Sequence, residues 1–73
     1  MTVAEALEKI TTLYGKTIDV VGDGIYYACA KYNKEGKKYE LKAAPTYERF
    51  VDAIAQMEVK RIFIGDVLII LEV

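Results

Sequence analysis

The chain contains no histidine, no serine and no tryptophan, with a single cysteine and a single proline. Each gap closes a chemistry. Without serine and histidine there is no Ser–His–acid triad. Cys29, the one intrinsically strong nucleophile, has no imidazole to deprotonate it. One thiol forms no intramolecular disulfide, and one thiol without histidine cannot complete a zinc tetrahedron. Asp19, Asp23 and Asp66 are too scattered to suggest a magnesium site, and turns favour aspartate for its own backbone hydrogen bonds. No pair of carboxylates stands out. The expectation is a non-enzyme with no catalytic residue, no metal and no cofactor.

Long apolar runs are missing too. Met1 to Leu13 carries Glu5, Glu8 and Lys9 inside its apolar pattern, where a secretory leader needs an unbroken run. The uncharged stretch Val67 to Leu71 is far shorter than a bilayer span. A cytoplasmic chain without membrane contact is expected, in a reducing compartment that tolerates one free thiol. An excess of one charge is also lacking. The formal net charge is −1, which gives no general attraction to nucleic acid or anionic lipid. The distribution is less even: residues 25–45 hold five lysines against Glu35 and Glu40, between two acidic flanks.

What the chain does have is apolar surface. Its 73 residues, 53% of them hydrophobic, read as one domain spanning 1–73. A domain of this size buries only about 60% of the surface its unfolded chain exposes. With neither disulfide nor metal, a dense core or self-association must compensate.

Thr2-Val3-Ala4-Glu5 has the form of a capping box. Val3, Ala6, Leu7, Ile10, Leu13 and Tyr14 follow at helical spacing and Gly15 ends the pattern, which predicts a helix over 2–14. From Lys16 the period changes to two. Gly22-Asp23-Gly24 predicts a three-residue hairpin loop pairing Val20 with Tyr26 and Ile18 with Ala28. It is no dinucleotide fingerprint, because Tyr27 stands where the third glycine belongs and a strand follows. A second loop over Asn33 to Gly36 would pair Ala30 with Tyr39, Ala28 with Leu41 and Tyr26 with Ala43. One face then collects Ile18, Val20, Tyr26, Ala28, Ala30, Tyr39, Leu41 and Ala43 as the core.

Pro45 ends the third strand and Thr46 is expected to cap a second helix, with Tyr47, Phe50, Val51, Ile54 and Met57 as its apolar stripe. A closing hairpin around Gly65-Asp66 pairs Ile64 with Val67, Ile62 with Ile69 and Lys60 with Leu71. Its other face holds Val59, Arg61, Phe63, Leu68, Ile70 and Glu72. The predicted class is α+β, in the order αβββαββ, with a five-stranded antiparallel sheet and two helices packed mainly on one face. The last strand is apolar on both faces, so a second copy or a partner is expected to cover whatever the helices leave open.

The candidate partner-binding residues lie on that outer face: Tyr27, Lys31, Lys38, Lys42, Arg61, Phe63, Leu68 and Ile70. The expected function is a small protein–protein interaction module, self-associating as a homodimer or occluding a partner protein. An inhibitor or adaptor of phage or mobile-element origin fits that economy. The alternative is single-stranded nucleic-acid binding, with bases stacked on Tyr27 and phosphates tracked by Lys31, Lys38 and Lys42. Two blander facts account for the same pattern. Tyrosine favours strands, and lysines guard sheet edges. In the expected register Lys31 faces Lys38, a like-charge pair that an acidic partner or bulk water would relieve.

Overall fold

A computed structural model of the chain describes residues 1–10 and 16–73. The elements run α1 (Val3–Lys9), β1 (Thr17–Gly22), β2 (Ile25–Asn33), β3 (Lys38–Ala43), a 3-10 segment (Pro45–Phe50), α2 (Val51–Ala55), β4 (Arg61–Ile64) and β5 (Leu68–Glu72). The order matches the expected one. The capping box forms as the sequence implies. Thr2 accepts from the Glu5 backbone N–H at 3.2 Å, and the Glu5 carboxylate accepts from the Thr2 N–H at 2.8 Å. The far end of the predicted first helix, with Leu13, Tyr14 and Gly15, lies outside the described residues.

The sheet is mixed, in the order β3-β2-β1-β5-β4, and this corrects the expectation of a wholly antiparallel one. β1 and β5 run parallel, Ile18 beside Ile69 and Val20 beside Leu71. The physical reason lies in β5 itself. A strand apolar on both faces gains most inside a sheet, and the free edge of β1 is where the closing hairpin can place it. Its partner β4 is then left outermost.

The second and third hairpin registers differ from expectation by two residues, and the first by one beside its turn and by two from Val20 onward. The first turn is a two-residue one, with Asp23 at φ 51° and Gly24 at φ 76°, and Gly22 stays in the strand opposite Ile25. Left-handed backbone at both central positions is the type I′ pattern that Asp-Gly favours. The second turn is Lys34–Lys37, closed by Asn33 against Lys38 and held by the Asn33 side chain, which accepts from the N–H groups of Glu35 and Gly36. In the third hairpin Ile64 faces Ile69, and the Gly65 N–H donates to the Leu68 carbonyl at 2.8 Å, leaving Asp66 and Val67 at the tip. An even slip keeps every side chain on its expected face. The core therefore survives: Val3, Ala6, Leu7, Ile10 and Ile54 from the helical side against Ile18, Val20, Ala28, Ala30, Tyr39, Ile69 and Leu71 from the sheet. Each large member stabilises the fold by roughly 1.5–3 kcal/mol.

One place breaks the parity. The β1–β2 ladder shifts between Val20 and Val21, so Val20 faces Ala28 while Val21 faces Tyr26. Tyr27 is the extra residue of this bulge. Beyond it the faces exchange, and Tyr26, expected in the core, is 46% exposed.

The second helical region also differs. Thr46 does not cap it; no side chain does, and a 3-10 segment beginning at Pro45 leads into a five-residue α2. Tyr47 (φ −112°, ψ 15°) and Phe50 (φ −110°, ψ 18°) depart from helical angles and divide the expected helix. Of its predicted stripe only Ile54 is buried; Tyr47 and Met57 pack at the core margin and Phe50 is exposed. The N-terminal segment ties this region down. The Val3 N–H donates to Met57 and the Val59 N–H to Met1, while the terminal ammonium meets Glu58 at 3.0 Å.

Candidate interaction surface

Both helices pack on the face that carries Ile18, Val20 and Ile69, α2 against β2 and β3, and α1 against β3 and α2. The opposite face of the sheet is built by the remaining residues of each strand. Cross-strand partners share a face, so one row can be followed across all five strands: Lys42, Cys29, Asp19, Ile70, Phe63. It begins charged and ends apolar. The neighbouring row on one side changes likewise, from Glu40 and Lys31 to Leu68, while the row on the other side runs from Tyr26 and Val21 to the ion pair of Glu72 and Arg61.

The polar half mixes both signs of charge. The register places Lys31 opposite Glu40, so the like-charge pair expected with Lys38 does not form; Lys38 faces Asn33 beside the turn. Glu40 also accepts from Asn33 Nδ2 at 2.7 Å. Tyr26, Cys29, Lys31, Glu40 and Lys42 line a shallow depression of about 630 Å³. There the Tyr26 hydroxyl is pushed up to about 12, first by its hydrogen bond with Cys29, then by partial burial and by the charges of Cys29 and Asp19. A hydroxyl held in its neutral form binds and orients; it does not serve as a base near neutrality.

The apolar half has few polar groups. Leu68 and Ile70 are half-buried, with Asp19 beside Ile70, Phe63 is 48% exposed, and the charges nearest Phe63 are Arg61 and Glu72. Those two satisfy each other, at 2.8 Å between Arg61 Nη2 and Glu72 Oε1 and 3.0 Å from Nε, with the guanidinium 5.9 Å from the Phe63 ring centroid. β4 is exposed along its whole length. Its other two side chains, Ile62 and Ile64, point to the helical side but lie beyond the helices, with Ile64 60% and Val67 78% exposed.

The sequence-derived site residues thus divide. Arg61, Phe63, Leu68 and Ile70 converge on the apolar half. Lys31 and Lys42 lie on the polar half of the same face, and Lys38 sits at its rim. Tyr27 does not belong. The bulge turns it to the helical side, where its ring packs against Tyr47 at 5.4 Å between centroids, and Tyr26 takes its outward place. Sequence reasoning missed Tyr26, Ile62, Ile64 and Val67. The isoleucines carried a signal, a strand apolar on both faces, but were assigned to covered positions.

Among the described residues no group of three or more His, Cys, Asp or Glu side chains is placed to hold a metal ion, and no helix is long and apolar enough to cross a membrane. Comparison with known proteins finds no matching family model, no matching curated protein and no matching solved structure.

Proposed function

We propose that the chain is a protein-binding module that docks its partner through the apolar half of the open sheet face. The observation that carries this is the end of the row at Ile70 and Phe63, flanked by Leu68 and Val21, on the face opposite both helices. Apolar side chains kept at the water boundary by a regular sheet are what a desolvated interface centre is made of, and the neighbouring ion pair and lysines supply a polar rim. Against the nucleic-acid alternative stands the charge of the polar half: Lys31 and Lys42 share it with Glu40 and Asp19, which leaves no excess of positive charge there.

Affinity capture with the purified chain tests the proposal when each bound protein is then measured with outer-face variants. Ile70→Glu places an unpaired charge at the interface centre and is expected to weaken binding by about a hundredfold. Lys31→Glu with Lys42→Glu, at the polar end, should change it little. The opposite ranking, with binding lost to lysine reversal and falling steeply with salt, would transfer the function to nucleic acid.

A further inference from the structure

We propose that the partner at this end of the sheet includes a second copy of the chain, joined edge to edge by antiparallel pairing of the two β4 strands about a two-fold axis at Phe63. This rests on the reading of the apolar half as an interface, and it names one occupant for the edge that borders that half.

The two edges of the sheet are unlike. β3 alternates Lys38, Glu40 and Lys42 on its outer side, a guarded edge of the kind that resists pairing. β4 carries one charge, Arg61, and that is held by Glu72. Ile62, Phe63 and Ile64 are consecutive, exposed, and free of charge, proline or bulge. Its hydrogen-bonding alternation is set by the Gly65 N–H, which donates across to Leu68 in β5. In an antiparallel ladder the N–H and C=O of Phe63 then face β5, and those of Ile62 and Ile64 face the free edge.

Only pairings that match outward-facing residues are open to two such strands. Centred on Phe63, Ile62 of each copy meets Ile64 of the other and four backbone hydrogen bonds close at the seam. The two Phe63 rings meet on the outer face, and the isoleucines meet on the helical side. This register alone pairs both outward residues within the strand: centring on Ile62 would oppose Ile64 to Lys60, whose N–H is already given to Glu72, and centring on Ile64 would oppose Ile62 to the hairpin loop. Charge favours the antiparallel sense. Exposed Lys60 just precedes β4 and exposed Asp66 follows it in the loop, so antiparallel pairing brings the Lys60 end of each copy to the Asp66 end of the other. A parallel arrangement in register would set Lys60 against Lys60. The pairing is isologous and consumes both β4 edges. The guarded β3 edges then stop growth at two chains and one continuous ten-stranded sheet.

Sedimentation equilibrium over a range of concentrations tests the seam. The wild type is expected to fit a monomer–dimer equilibrium of the 8.2 kDa chain. Lys60→Glu and Asp66→Lys should each weaken dimerisation by about tenfold or more, and the double variant should recover most of the loss. Ile64→Pro removes an N–H that points away from β5, so it should give a folded monomer with the β4–β5 hairpin intact. A wild type that is monomeric at every concentration overturns the proposal. So does a dimer indifferent to the charge swap, or one that survives Ile64→Pro. Failure here leaves the sheet-face function standing if Ile70→Glu still abolishes capture of a different protein. If dimerisation holds and no capture depends on Ile70, the face reading fails and the seam remains.

Discussion

A Cβ at Gly22 would run into the carbonyl oxygen of Val73, whose own N–H donates to Val21 at 2.9 Å. The contact is backbone, so no side chain can swing aside. Gly22→Ala should therefore cost about 1–3 kcal/mol, read as a lower urea midpoint at unchanged slope. An alanine variant as stable as the parent would contradict the close approach. At Tyr26 the sign follows from the raised hydroxyl. Its folded-state pKa of about 12 lies above the ordinary 10.0, so its stabilising contribution is complete below pH 10 and is lost as pH climbs towards 12. Cys29→Ala removes the leading cause. Phenolate absorbance should then show one tyrosine titrating closer to 10.0, and a titration curve that does not move would place the hydrogen bond elsewhere. Burial raises Tyr39 in the same direction, although its hydroxyl also donates to the Lys16 carbonyl at 3.0 Å.

The individual elements were legible wherever a local pattern and a tertiary need agreed. Thr2 and Glu5 announce the first helix by side-chain chemistry that acts within one turn. Thr2→Ala should lower stability by about 1 kcal/mol, measured as the same midpoint shift, and no shift would mean that the cap is idle. Strand faces were legible as well, because period-two alternation survives a two-residue slip. The bulge was not. Tyr26 and Tyr27 are identical side chains in sequence, and only the choice of a tight Asp-Gly turn over a three-residue loop decides which one faces inward. The second helix fails for a different reason. Its apolar spacing is regular, yet Tyr47 and Phe50 take up non-helical angles after Pro45, and α2 anchors through Ile54 alone. Ile54→Ala should consequently cost about 2–5 kcal/mol, a large share for a domain this small. A loss well under 1 kcal/mol would show that α2 is dispensable.

Across the whole molecule, strand order and cover depend on lengths that no local motif encodes. An apolar β5 implied an interior strand but not which neighbour it would take; β1 had an open edge, and the pairing there is parallel. α2 spans only about 7–8 Å at 1.5 Å per residue, while five strands at about 4.8 Å spacing make a sheet about 19 Å across. Seated over β2 and β3, it stops short of β4. That mismatch leaves Ile62 and Ile64 uncovered on the helical side; Phe63, Leu68 and Ile70 lie on the face opposite both helices, and together they give one end of the sheet its surplus of apolar surface.

Amide hydrogen exchange along β4, followed from dilute to concentrated solution, tests that surplus most directly. Phe63 N–H, directed at β5, should be protected throughout, while Ile62 and Ile64 N–H should exchange freely when dilute and gain protection together as concentration rises. Protection of Ile62 and Ile64 that is the same at every concentration would mean that the chain already covers its own edge, and the β4 seam would not exist.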